Sequence, residues 1–368
     1  MKKYIISISS AFACIFLAFN ANAQSNAARP IWVLGHACNS EQCLIDALAD
    51  GANGIEIDVH SDDAHKNTDW SVNHGGKKKI GYVWESEGYI PVDVRASRNK
   101  SEGREGKKTK WVSLEEYLNF ADMDKIAFLW LDIKTNDYAT ELVEHVHKIL
   151  EKRFNGKDNI PFSILYGLYD KKYLTINVKD NATGTSIAAL EWYKKYLWPN
   201  EGIGLAREGS TRMTYYTATL TDLKKIYDKY QFPVGKHIMT NGFGWPYFPC
   251  FFWKSQISNT LIEAKELRNS GQYCVRTGTW TMERPWHGVQ MVISQSDSKY
   301  WSYRSECDLI LIECRNEFFP AENNLPGFNK NSLRDYVKWF FSPNGCWWKY
   351  NNGNYRRAGQ RKEDPFYK

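Results

Sequence analysis

Beyond its first residues this chain has no apolar run approaching the roughly eighteen residues that a membrane-spanning helix requires, so no later stretch reads as a span. Strong charge of one sign is missing too. Lys and Arg number 48 against 42 Asp and Glu, a formal net charge of +6, and a balance that mild does not indicate a nucleic-acid binder. No C-x-x-C pair occurs among the 8 cysteines, which leaves a thiolate zinc site without a framework. Neither an internal repeat nor a second domain is evident. What the sequence holds in quantity is aromatic side chains, 15% of its 368 residues.

The chain opens with the basic M-K-K-Y, followed by a largely apolar run from Ile5 to Phe19 and then Ala21-Asn22-Ala23 before Gln24. This is the pattern of a secretory signal peptide. The expected division is a signal peptide over 1–23, one barrel domain over 24–341, and a polar, aromatic tail over 342–368 packed on or near the barrel. Export is expected, to the exterior or the periplasm, and loss of Lys2 and Lys3 lowers the net charge from +6 to +4. Of the 8 cysteines, Cys14 leaves with the signal, and an odd number remains. Cys38 and Cys43 are close enough in sequence to staple a loop in an oxidising compartment.

The chemistry concentrates between Ile31 and Gly76. The run I-W-V-L-G-H ends in His36, a helix-length segment follows, and G-I-E-I-D-V then carries Glu56 and Asp58. Residues two apart in a strand point to one face, so these carboxylates project side by side. Adjacent carboxylates repel one another and are costly to hold in an apolar place. Hard oxygen ligands set together suit Mg²⁺ or Ca²⁺. Further on, L-D-I-K-T places Asp132 and Lys134 two apart in another apolar run. The blander alternative for Glu56 and Asp58 is a pair of solvated strand-end carboxylates, and for Lys134 an interior ion-pair partner.

Apolar, strand-like runs recur near Trp32, Ile55, Leu129, Ile164, Ile203, Ile238, Val275 and Ile310, alternating with helical patterns. That alternation predicts an α/β fold, a single parallel (β/α)₈ TIM barrel, whose active site would lie at the C-terminal ends of the strands. His36, Glu56, Asp58, Asp132 and Lys134 all fall at such ends. The segment from Lys77 to Lys110 is basic and aperiodic and predicts a long loop after the second strand. It is suited to anionic headgroups or phosphates, or is simply solvated. Gly242 to Trp253 is dense in aromatics and reads either as a lipid-facing or choline-binding rim or as a loop folded over the core.

These motifs resemble the sphingomyelinase D/phospholipase D family, itself related to glycerophosphodiester phosphodiesterases. The resemblance rests on R-P-I-W-V-L-G-H-A-C-N at Arg29 to Asn39, G-A-N-G-I-E-I-D-V at Gly51 to Val59, His74 in N-H-G, and L-D-I-K-T at Leu131 to Thr135. It implies Mg²⁺ held by Glu56, Asp58 and Asp132, and His36 and His74 as the acid–base or nucleophilic pair. Lys134 would contact the phosphate, while Trp280 and Glu283 would shape the headgroup end. The implied reaction is headgroup release from sphingomyelin or lysophospholipid, with attack by the substrate's own hydroxyl giving a cyclic phosphate. The implied partner is a lipid substrate at a membrane surface, met by a monomer. Two departures stand out: Glu283 where the family often has Asp, and Ile312-Glu313 where Thr-Asn is expected. The rival expectations are a phosphodiesterase acting on soluble glycerophosphodiesters and a catalytically silent lipid-binding barrel.

Overall fold

The computed structural model describes residues 29–61, 70–72, 82–85, 88–91, 112–209, 218–242, 251–282, 307–313, 332–341, 355–360 and 363–366. The leader, His74, Glu283, most of the basic segment and most of the aromatic one lie outside these residues, as do Cys250, Cys314 and Cys346.

Eight parallel strands follow one another along the chain: β1 (Arg29–His36), β2 (Gly54–Ser61), β3 (Phe128–Ile133), β4 (Ser163–Leu168), β5 (Glu201–Leu205), β6 (Ile238–Gly242), β7 (Arg276–Met282) and β8 (Leu309–Glu313). Their order across the sheet is β5-β4-β3-β2-β1-β8-β7-β6. A parallel bridge between Ile203 and His237 joins the two ends, so the sheet is a nearly closed eight-stranded barrel of the TIM type. All eight strands stand where the apolar runs predicted them.

The strands are apolar on both faces because both faces are covered. On β1, Trp32 and Leu34 join Phe128, Trp130, Leu165, Ile238, Leu309 and Leu311 in an interior cluster, whereas Ile31 and Val33 join the layer under the helices. The same alternation sends Ile55, Ile57 and Val59 of β2 outward, together with Leu129, Leu131 and Ile133 of β3. By the two-residue period, Glu56, Asp58 and Asp132 are left on the interior face.

The covering helices are α1 (Glu41–Ala49), α2 (Leu114–Leu118), α3 (Ala139–Phe154), α4 (Ala189–Tyr196), α5 (Leu220–Lys229), α6 (Phe251–Asn269) and α7 (Ser332–Phe341). On α3 the residues Leu142, Val143, Val146, Ile149 and Leu150 are buried, the spacing of one helical stripe. Ser40 caps α1 by accepting from the Cys43 N–H, and Thr219 caps α5 by accepting from the Asp222 N–H. The helix α3 ends at Asn155, which adopts the left-handed conformation (φ 54°).

Two regions differ from their sequence reading. The excursion after β2 contains more strand than an aperiodic loop would. Trp70–Val72 runs antiparallel to the end of β2 and pairs with Val112–Ser113, and Tyr82–Glu85 with Gly88–Pro91 forms a second antiparallel pair. Short runs of Tyr, Val, Trp and Ile have the β-propensity for this, and the surrounding charge hides it from a periodicity reading. The aromatic segment also runs into α6, since Phe251, Phe252 and Trp253 are helical.

Two described C-terminal stretches meet the barrel at the starts of β1 and β5. Tyr355–Arg357 pairs in parallel with the start of β1, and Asn53 donates to Ala358 O at 2.9 Å. Phe366 joins the interior cluster beside Gly202, where a Cβ would meet its ring at 2.2 Å. Glycine is required there by contact rather than by conformation. No helix among the described residues is long and apolar enough to cross a membrane.

Candidate metal centre

Asp58 and Asp132 are directly opposed in the β2–β3 register, and Glu56 lies one side-chain step below Asp58 on the same face. One carboxylate oxygen from each of Glu56, Asp58 and Asp132 can be chosen so that all lie within 4.8 Å of one another. Three oxygen donors from two neighbouring strands therefore converge at the C-terminal mouth of the barrel.

Each carboxylate is held by its own partner. Ala37, in the left-handed region at φ 50°, turns its N–H onto Glu56 Oε2 at 2.5 Å. The Cys38 N–H donates to Glu56 O at 2.8 Å, which ties the β1–α1 turn to β2. Asn39 clamps Asp58 twice: its Nδ2 donates to Oδ2 at 2.7 Å, and its Oδ1 accepts the Asp58 N–H at 2.9 Å. Lys134 Nζ lies 2.7 Å from Asp58 Oδ1 and also pairs with Asp132 Oδ2. The Tyr169 hydroxyl donates to Asp132 Oδ2 at 2.8 Å and accepts from Lys134 Nζ at 2.5 Å.

His36 ends β1 with Nε2 3.9 Å from Glu56 Oε2, outside direct hydrogen-bond reach. Its backbone is in register with Glu313 of β8. Cys38 and Cys43 are buried thiols whose sulfurs approach to 3.1 Å. Tyr117 donates to Cys38 O and braces the turn from below.

The electrostatics suit a cation. Burial, reinforced by the charge of Asp58, pushes the Glu56 carboxyl up to about 8. Burial works against the Lys134 ammonium, but Asp132 and Asp58 outweigh it and hold its proton firmly. Near neutrality Glu56 therefore keeps its proton in the metal-free protein, and a divalent ion bound at the three carboxylates would displace it, leaving three carboxylates and one ammonium to balance the ion's charge. An all-oxygen donor set of this charge fits Mg²⁺ or Ca²⁺ rather than a soft metal.

Of the residues expected from the sequence, His36, Glu56, Asp58, Asp132 and Lys134 are brought together here, while His74 and Glu283 lie outside the described residues. Lys134 is found as an ion-pair partner of two carboxylates. Trp280 lies elsewhere on the mouth, on β7, packed against the interior cluster with the Arg207 guanidinium over its ring at 5.2 Å. Sequence reasoning missed Tyr169 and Arg207 and gave Asn39 no role. Tyr169 directly follows β4 and Arg207 stands two past β5, so strand-end position was the signal that would have found them. Of the histidines left aside, His237 Nε2 meets Glu208 Oε1 at 3.0 Å in a buried network, and His147 Nε2 meets Glu201 Oε2 at 2.8 Å.

No family model matches this chain. Among solved structures, Yersinia pestis DHPS with a pterine-sulfa conjugate aligns over 77% of this chain and 86% of its own, at 13% identity and a TM-score of 0.31. A likeness at that level carries no argument about function.

Proposed function

We propose that this chain is an exported, Mg²⁺-dependent phosphodiesterase of the phospholipase D/sphingomyelinase D kind, releasing the headgroup from a sphingolipid or lysophospholipid at a membrane surface. The observation that carries the reading is the convergence of Glu56, Asp58 and Asp132 within 4.8 Å, with His36 3.9 Å from Glu56, at the mouth of a parallel barrel. A phosphodiester is anionic, so an oxygen approaching its phosphorus is repelled until charge is neutralised. Mg²⁺ at the three carboxylates would supply that neutralisation.

The residues do the rest. Lys134 and Tyr169 hold Asp132, and Asn39 holds Asp58, so the donor set is preorganised and does not rearrange during reaction. In the proposed step the substrate's own hydroxyl attacks phosphorus and the bond from phosphorus to the headgroup oxygen breaks. One imidazole accepts the proton of the attacking hydroxyl and another delivers a proton to the departing alcohol. The proposal gives one role to His36 and the other to His74, because imidazole titrates near neutral pH.

The test is ³¹P NMR of the protein with sphingomyelin and with lysophospholipids bearing choline, ethanolamine or serine, in Mg²⁺ and in EDTA, beside His36→Ala. A metal-dependent cyclic or monoester phosphate signal that disappears in the variant supports the proposal. Unchanged spectra for every lipid would sink it.

A further inference from the structure

The barrel mouth has two unlike halves. On the β1–β4 side sit the carboxylates and their clamps. On the β5–β7 side, the Arg207 guanidinium lies over the Trp280 ring at 5.2 Å, and Gly242 of β6 lets Trp280 approach so closely that a Cβ there would collide with Trp280 O at 1.6 Å. Arg207 adopts φ 58°, a left-handed turn that a non-glycine residue rarely takes. Among the described residues no carboxylate pairs with its guanidinium, in contrast to Lys134, whose charge is shared between Asp58 and Asp132. Burial weakens the hold of Arg207 on its proton, and Tyr169 is the neighbouring group that acts in the opposite direction. Trp280 Nε1 is likewise buried and without an acceptor among the described residues.

A part-buried cation that meets no counter-charge among the described residues is costly unless something anionic joins it. The stack offers donors from two side chains and no acceptor. A quaternary ammonium needs the reverse: an open aromatic face and nearby negative charge. Here a cation already occupies the face.

We infer that Arg207 and Trp280 form the headgroup subsite, and that it takes an anionic headgroup, a carboxylate or a phosphate, in preference to choline. This rests on the proposed phosphodiester chemistry for its biological meaning but not for its binding test. With the scissile phosphate at the acidic half, the departing substituent reaches the opposite rim, where the planar guanidinium presents paired N–H groups to two oxygens. Trp280 fixes the plane of that fork.

The experiment is calorimetric titration of the full chain in EDTA with three probes: sn-glycerol 3-phosphate, O-phosphoserine and choline. Both phosphates should bind, and Arg207→Gln should weaken them by about tenfold or more, the loss of a charge-assisted hydrogen-bonded contact. Arg207→Lys should fall between, because it keeps the charge and loses the fork. Choline should give no heat. A preference for O-phosphoserine would point to a headgroup carboxylate, and equal binding of both phosphates to phosphate recognition. Undiminished phosphate binding in Arg207→Gln, or tighter binding of choline than of either phosphate, overturns the inference. If no lipid is turned over but Arg207-dependent anion binding persists, the proposed reaction fails and this subsite stands.

Discussion

The Tyr169 hydroxyl donates to Asp132 Oδ2 at 2.8 Å while accepting from Lys134 Nζ at 2.5 Å. One phenol thus sets the orientation of a ligand carboxylate and of the cation that neutralises it. Burial and the Asp132 charge both raise the Tyr169 phenol above its ordinary range, so it remains a donor at any working pH. Replacing it with Phe keeps the ring and removes both contacts. Tyr169→Phe is expected to weaken Mg²⁺ binding by about 10- to 100-fold, as for other groups that orient a metal ligand. Titration calorimetry of the variant checks this, and unchanged affinity would remove Tyr169 from the site.

Lys134 offers a sharper contrast. Its ammonium is nearly enclosed between Asp58 and Asp132, so Lys134→Met leaves both carboxylates facing each other without their cation. Removing one partner of a buried pair costs about 3–5 kcal/mol. The metal-free variant should melt well below wild type, and saturating Mg²⁺ should recover part of the loss, because the ion replaces the missing positive charge. Thermal melts with and without Mg²⁺ decide it. A variant that Mg²⁺ does not stabilise would argue that the carboxylates exist for Lys134 and not for a metal.

Glu56 predicts a pH signature. Its carboxyl is raised from 4.5 to about 8, first by burial and then by Asp58. Between those values the folded, metal-free protein keeps a proton that the unfolded chain has already released. Its stability therefore declines as pH rises through that window. Metal binding in the same window must expel the proton, so Mg²⁺ affinity should increase with pH and level off above about 8. Calorimetry in buffers of different ionisation enthalpy would read the released proton directly, and Glu56→Gln should abolish it.

Asp308 should behave in the opposite sense. Burial resists its ionisation, but Arg268 at 2.7 Å, Arg29 at 3.6 Å and the Thr277 N–H at 3.0 Å outweigh that and hold its pKa below the usual carboxylate range. A depressed carboxyl contributes stability that is complete above its unfolded value and disappears as pH falls through the folded one. Asp308→Asn should cost about 3 kcal/mol or more near neutrality, with the difference from wild type shrinking in acid. Urea midpoints at pH 7 and pH 3 would show whether the gap closes.

The sequence by itself determined the strands and the triad. Eight apolar runs alternating with helical stripes specify a parallel barrel, because a strand covered on both faces must be apolar throughout. The two-residue period then places Glu56 with Asp58, and Asp132 with Lys134, on one face each. The bridge expected between Cys38 and Cys43 is not formed: both are thiols, with their sulfurs 3.1 Å apart. The strands hidden in the basic excursion were not legible, since charge between short β-prone runs erases their period.

Only the tertiary structure decided what surrounds the carboxylates. Tyr169 and Arg207 stand just past the ends of β4 and β5, a position that marks both as residues of the mouth, but nothing in either stretch tells which side chain each one meets. Pairing of β3 with β4 brings Tyr169 to Asp132, and closure of the sheet between β5 and β6 brings Arg207 over Trp280. The physical reason lies in range. Periodicity records which face a side chain takes, because that depends on its own strand, whereas the identity of its partner depends on which strands the barrel makes neighbours.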